Sequence, residues 1–417
     1  MREIILNNDA ILFGILALIL GGIFYTSKRS EFAAFYKIVP VLLLCYMIPA
    51  LLKWPLGVVS EESNLYFVAS RYLLPASLIL LCISIDLKGI FRLGPKAIIM
   101  FLAATVGIII GGPIALIIFT GLFPDALGIA PEDLWRGLST VAGSWIGGGA
   151  NQAAMKEVFE VGDDLFGIMI VIDVIVANIW MAFLLSGARV SDKIDKVLNA
   201  DNSSITALKE SVKSYRTSVE AMPTSYHMFL LLACAFGGVG VSHFFADIIS
   251  PFFQQFEEIL LKWGLSSLMS GFFWLVVFAT TIGVVLSFTK AKKLEGVGAS
   301  NWGSVFIYIL VATIGMKMDL GKIFLPENLP LFGIGIIWML VHIIVLLGVA
   351  YLIKAPFFFV AVGSQANIGG AASAPVVASA FDIALAPVGV LMAVIGYALG
   401  TYGAIVCALL MQAASGG

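Results

Sequence analysis

Two polar, glycine-rich segments interrupt membrane-grade sequence, Gly143-Ser-Trp-Ile-Gly-Gly-Gly-Ala-Asn-Gln152 and Gly363-Ser-Gln-Ala-Asn-Ile-Gly-Gly-Ala-Ala-Ser373. They offer Ser144, Asn151 and Gln152 in the first half and Ser364, Gln365, Asn367 and Ser373 in the second. A buried amide needs hydrogen-bond partners, and glycines such as Gly148 and Gly370 let backbone approach a ligand closely. Half-helix N-termini in such segments present unpaired N–H groups to anions. The second segment carries no charged side chain between Phe357 and Phe381, so an anionic ligand there would be held by dipoles and neutral side chains. Lys156 and Arg136 could supplement them from the first segment. The competing reading treats the small residues as helix-packing surfaces of the small-xxx-small kind, which suits the alanines and outer glycines best.

The third chemical feature is Asp173, in the middle of Ile170-Val-Ile-Asp-Val-Ile-Val176. A carboxylate at that depth costs about 2.5 to 3.5 kcal/mol on insertion scales, so it should face a cavity, bind a cation or carry a proton. The alternative is a structural hydrogen bond to broken-helix backbone. Asn178, offset around the same helix, is a helper, and Thr401 with Tyr402 would line the same cavity. His342 reads as a satisfied core histidine.

The elements that must position these groups follow from composition. The chain is 60% hydrophobic and 12% charged, with a mean hydropathy of +1.03, whereas charged residues alone approach a quarter of a soluble domain. It is a polytopic membrane protein. A net charge of −2 supplies no basic field for nucleic acid. The four cysteines, Cys45, Cys82, Cys234 and Cys407, lie singly in apolar runs and read as packing residues.

Stretches of about 20 apolar residues, enough to span, fall near 9–27, 35–54, 67–87, 96–121, 163–186, 226–249, 266–288, 302–318, 329–353 and 385–412. The glycine-rich segments 133–158 and 356–380 are also long enough to cross. Charge decides between crossing and turning back, because cytoplasmic loops collect Lys and Arg. Lys28, Arg29 and Lys37, Lys88, Arg92 and Lys96, Lys290, Lys292 and Lys293, and the basic residues of 187–225 all fall inside only if 133–158 enters and leaves on one side. The predicted fold is therefore all-α, with five spans and one re-entrant hairpin in each of two halves, 1–186 and 226–417. A cytoplasmic linker, 187–225, joins them, and both termini are periplasmic. An odd number of crossings per half makes the repeat inverted. Asp86-Leu-Lys-Gly-Ile-Phe91 echoes Asp319-Leu-Gly-Lys-Ile-Phe324, and Ile146-Gly-Gly148, Phe159 and Gly167 match Ile368-Gly-Gly370, Phe381 and Gly389 at one constant spacing.

The two glycine-rich motifs, Gly143 to Met155 and Gly363 to Pro375, resemble those of the YjcL-like bacterial membrane proteins, a family carried under a domain-of-unknown-function label. The resemblance covers essentially the full chain. It implies membership of the broad superfamily of cation antiporters and anion symporters. More distantly, the hairpins are similar to those of sodium-coupled glutamate and citrate symporters, in which hairpin tips meet near mid-membrane and a mobile domain moves past a dimeric scaffold.

Interrupted hydrophobic segments at corresponding places in two halves point to the binding site of a secondary transporter. The expectation is an ion-coupled carrier of a small organic anion, a carboxylate or amino-acid derivative, in the bacterial inner membrane. It would be homodimeric and elevator-like, with Na+ or H+ as coupling ion and no other cofactor. A cation/proton antiporter using Asp173 is the first alternative. An intramembrane enzyme is disfavoured, since the chain shows no HExxH, GxSxG or paired carboxylates at metal-ligand spacing. A channel is disfavoured by the lack of charged rings.

Overall fold

The computed structural model describes residues 8–36, 41–59, 63–85, 93–124, 128–200, 223–262, 266–323, 328–382 and 385–415, with single positions at 39, 91 and 325. The expectations placed on both chain ends, on Asp86 and on most of the 187–225 linker fall outside the described residues. The described elements are helical, as they must be where no water can satisfy the backbone. The first half runs α1 (Asp9–Ser27), α2 (Val41–Ala50), α3 (Leu65–Ile83), α4 (Pro95–Leu122), α5 (Pro131–Gly147), α6 (Gly149–Val158) and α7 (Asp163–Ala188). A short α8 (Ser191–Val197) begins the linker. The second half repeats the order as α9 (Ser225–Gln254), α10 (Gly271–Ser287), α11 (Ala299–Gly315), α12 (Leu329–Ile353), α13 (Phe357–Ile368), α14 (Gly370–Phe381) and α15 (Ala386–Ala414).

Seven of the described helices are long and apolar enough to cross a membrane, or nine if two bent pairs each count as one span. The bent pairs fall on the segments expected at 35–54 and 266–288, with angles of 87° and 95°. The segment expected at 302–318 is the 17-residue α11, which ends at Gly315.

The glycine-rich segments fold back on themselves. The rings of Trp135 and Phe159 meet at a centroid distance of 5.4 Å, and those of Phe357 and Phe381 at 6.0 Å. Each pair is 24 residues apart, which an unbroken helix would stretch to about 36 Å. Hence α5 and α6 form one helical hairpin, and α13 and α14 a second. The first turns at Gly148, with φ 80° and ψ −172°, a backbone region open essentially to glycine alone. The second turns at Gly369 and Gly370, the latter at φ 57°.

Packing divides the helices into two groups. Both hairpins pack with α4, α7 and α15, the second also with α12, which the first meets through the Trp145 and Trp338 rings at 5.1 Å, whereas α1, α2, α3, α9, α10 and α11 pack mainly with one another. Each group therefore takes equivalent helices from both halves. Polar bonds also cross the boundary, among them Thr280–Thr401 at 2.9 Å between α10 and α15 and Lys156–Tyr66 at 2.8 Å between α6 and α3. Thr281 and Tyr402 share another of 2.7 Å between α10 and α15, and Arg71 of α3 pairs with Glu157 of α6 at 2.8 Å.

Candidate functional site

The two hairpin tips meet on one face of α15. Glycines at 396 and 400 form that face, one turn apart, so backbone can pack on backbone. An ideal Cβ on Gly400 would stand 2.5 Å from the Gly147 Cα. One on Gly396 would stand 2.7 Å from the carbonyl oxygen of Ile146 and 3.5 Å from that of Ala366, so those two oxygens, one from each hairpin, are at most 6.2 Å apart.

Asp173 of α7 holds the first tip. Its carboxylate accepts from the Ser144 hydroxyl at 2.6 Å, the Trp145 indole N–H at 2.7 Å and the Gln152 amide at 3.0 Å. Ser144 and Trp145 lie on one hairpin arm and Gln152 on the other, so one buried carboxylate pins both arms. Charge-assisted bonds of this kind are about twice as strong as neutral ones.

The asparagines anchor the tips to spanning helices by a shared geometry. Asn151 Nδ2 donates to the carbonyls of Gly147 and Tyr397, both at 3.1 Å, while its Oδ1 accepts from Thr401 at 2.6 Å. Asn367 Nδ2 donates to the carbonyls of Gly363 (3.0 Å) and Phe101 (3.1 Å), while its Oδ1 accepts from Thr105 at 2.7 Å. In both cases the amide bridges the carbonyl four residues earlier and a neighbouring helix, where the accepting carbonyl and the donating threonine are one turn apart. With its hydroxyl hydrogen given to Asn151, Thr401 accepts from Thr280 of α10 at 2.9 Å.

Ser364 joins the second hairpin to α7 and α12. It accepts from the Trp180 indole at 2.8 Å. His342 Nδ1 lies 3.1 Å from the Ala104 carbonyl and must donate to it, so its Nε2, 2.8 Å from Ser364, accepts the serine hydroxyl. Gln365 donates to Ser373 Oγ across the second hairpin at 2.8 Å. Its Oε1 is buried and has no hydrogen-bond partner among the described residues, an acceptor left for a cation or an N–H or O–H donor.

The structure thus brings Ser144 and Gln152 to Asp173, and Asn151 to Thr401. Ser364, Gln365, Asn367 and Ser373 sit within or beside the second tip. Thr401 serves Asn151 and makes no hydrogen bond to Asp173. Asn178 stays apart, donating to the Val174 carbonyl of its own helix at 2.7 Å. An ideal Cβ on Gly148 or Gly370 meets nothing within 4 Å, so the positive φ of each turn, not steric closeness, demands glycine. Lys156 and Arg136 lie toward the open end of the first hairpin in ion pairs with Asp163 (3.0 Å) and Glu132 (2.7 Å), away from the tip. Sequence reasoning missed Trp145, Trp180, Thr105 and Thr280. Each is a polar handle on a residue type that usually packs or bonds its own helix, so the sequence carried no separate signal for it.

A family model described as a protein of unknown function, DUF819, matches residues 10–414. The chain is also 24% identical over 360 residues to the uncharacterized membrane protein YjcL of Bacillus subtilis (strain 168), covering 83% of each chain. The polytopic helical architecture and the full-length match agree, and the chain belongs to the DUF819 family of membrane proteins.

Proposed function

We infer that this protein is an ion-coupled secondary transporter of a small organic anion, a carboxylate or amino-acid derivative. The observation that carries the reading is the meeting of two glycine-turned hairpins, one per half, on the glycine face of α15, with buried polar side chains at both tips. Repetition of the element order supports an inverted repeat of five spans and a re-entrant hairpin. The division into two packed groups supports an elevator motion, in which the hairpin-bearing group slides past the other. The exposed apolar faces of α1 and α9 would meet lipid and a second copy in a homodimer of the bacterial inner membrane. Asp173 is the coupling residue in this scheme. Hairpin donors occupy three of the about four lone-pair sites of its carboxylate, so a proton or Na+ arriving there would draw on the same oxygens and weaken those bonds, which links ion occupancy to tip conformation. The Gln365 oxygen is a second acceptor for the same ion or for cargo.

A cation/proton antiporter is the second reading, because segments 144–152 and 364–373 contain no Lys or Arg to hold an anion. Proteoliposomes loaded with a pH dye and given Na+ or H+ gradients distinguish the two. Solute-dependent ion movement, tested with pooled organic acids and amino acids and lost in Asp173→Asn, is the expected result. Ion exchange that needs no solute makes the antiporter correct, and the absence of both fluxes overturns transport.

A further inference from the structure

A cavity of about 540 Å³ lies at the open end of the first hairpin, away from the tips. Its wall combines α3, the end of α6, α9 and the start of α10, and includes Arg71, Lys156, Glu157, Glu160, Asp247 and Phe272. The volume is that of a small-molecule site. Asp247 lies about two turns from the C-terminal end of α9, and Gly271 opens α10, so the cavity sits among helix ends, where water has access.

Its charges divide into used and unused groups. Lys156 is buried and consumed by Asp163 at 3.0 Å and by the Tyr66 hydroxyl at 2.8 Å. Arg71 gives only Nη1, to Glu157 at 2.8 Å and Ser70 at 3.3 Å. Its Nη2 and Nε donate to no described residue, and the guanidinium lies 4.3 Å from the centroid of Phe272, which fixes its plane. A π-helical turn, Ala69–Leu73, carries Arg71, a distortion that recurs at functional sites. Across the cavity Glu160 and Asp247 form no ion pair or hydrogen bond with any described residue. Glu160 is held at φ 53°, in the left-handed region that non-glycine residues seldom adopt. One face therefore offers a planar pair of donors, another offers two free carboxylates, and Phe272 with Leu275 supplies apolar wall between them.

We propose that this cavity is a binding site for a zwitterionic amino acid with an apolar side chain, its carboxylate on Arg71 Nη2 and Nε and its ammonium group between Glu160 and Asp247. A simple anion would meet the surplus carboxylates, and a simple amine would leave the guanidinium donors empty. The site is separate from the hairpin tips and does not depend on their role.

The test measures binding to the full-length purified protein by titration calorimetry and thermal unfolding with three probes. These are L-leucine, 4-methylvalerate, which lacks the amine, and isoamylamine, which lacks the carboxylate. L-leucine should bind and raise the unfolding temperature, with either half-molecule at least tenfold weaker. Loss of one charged hydrogen-bond partner is worth roughly tenfold or more in affinity, so Asp247→Asn and Glu160→Gln should each weaken leucine by about that factor. Neither should alter the unliganded unfolding temperature, because neither side chain holds a partner. Arg71→Lys keeps the ion pair with Glu157 but loses the planar fork, and should weaken leucine while leaving isoamylamine unchanged. Equal binding of isoamylamine, equal binding of 4-methylvalerate, no binding by any probe, or undiminished leucine binding in Asp247→Asn would each overturn the proposal. None of these readouts uses transport. Leucine binding by the wild-type protein with no flux of any solute tested would sink the carrier reading alone, and flux without leucine binding would sink only this site.

Discussion

Replacing Asp173 separates its structural role from its coupling role. In Asp173→Ala the Ser144, Trp145 and Gln152 donors lose their acceptor in a buried site. An unpaired buried donor costs about 1 to 3 kcal/mol, so three cost about 3 to 9 kcal/mol, comparable to the whole stability of many domains. That variant should fail to accumulate. Asp173→Asn keeps the shape. Its Oδ1 can still accept from Trp145, while its Nδ2 can donate to Ser144, whose hydroxyl turns, and to Gln152, whose amide flips. What is lost is charge assistance, about 1 kcal/mol per bond, and this is opposed by the several kcal/mol no longer spent burying a carboxylate. The amide variant should therefore unfold within a few degrees of wild type while losing Na+-dependent or proton-dependent stabilisation. Both properties are read from melting curves of detergent-purified protein across Na+ concentration and pH. If Asp173→Asn is as unstable as the alanine variant, the three bonds need the charge itself. If it keeps wild-type ion dependence, the coupling ion binds elsewhere.

Cysteines at Trp135 and Phe159, in a background lacking Cys45, Cys82, Cys234 and Cys407, should be joined by a short bifunctional maleimide. Failure to join them would be inconsistent with the folded-back first segment. A cysteine at the exposed Lys193 of α8 should react with an impermeant maleimide only in inside-out vesicles, and labelling of intact cells would reverse the topology. Gly148→Ala should destabilise by about 1 to 3 kcal/mol through strain at its positive φ, although its Cβ would have room, whereas Gly237→Ala, in open space on α9, should leave the melting curve unchanged or slightly raised. A double-mutant cycle of Thr105→Val with Asn367→Ala should give a coupling energy of about 0.5 to 3 kcal/mol, and strict additivity would show that the bond at 2.7 Å contributes nothing.

Much of this architecture was legible because the bilayer permits so few backbone solutions. Apolar length located the long helices, and the distribution of lysine and arginine asked for an even number of crossings between residues 121 and 163, with which the fold-back seen in the edge-to-face rings of Trp135 and Phe159 is consistent. Asp173, Asn151 and Asn367 stood out because a buried charge or amide is costly. Their partners did not. Asn367 and Thr105 are 262 residues apart, and a threonine in an apolar helix normally bonds its own backbone. Trp145 reads as bulk until the fold turns its N–H onto a carboxylate. Asn178 stood out for the same reason as the other amides, and the structure places its amide nitrogen on the Val174 carbonyl of its own helix. The tip glycines have a reason that sequence reasoning did not name, the positive φ of Gly148 and Gly370. Close approach to a ligand was the expectation, and backbone conformation is an additional requirement for glycine there.

The seat of the first hairpin tip also has a history in time. Asn151 finds the Tyr397 carbonyl 246 residues farther along the chain, with Thr401 just beyond it. At roughly 5 to 20 residues per second of synthesis, that interval lasts about 12 to 50 s. During it the amide and the bare glycine backbone around Gly147 are already made, but the helix that receives them does not yet exist. Asp173 arrives only 21 residues after Gln152, early enough to close the two arms on each other and leave only the α15 side of the tip waiting. The carboxylate that binds the hairpin tip in the finished protein is thus made soon after it, and a chain truncated before Tyr397 would present the insertion machinery with a closed tip that lacks its α15 seat.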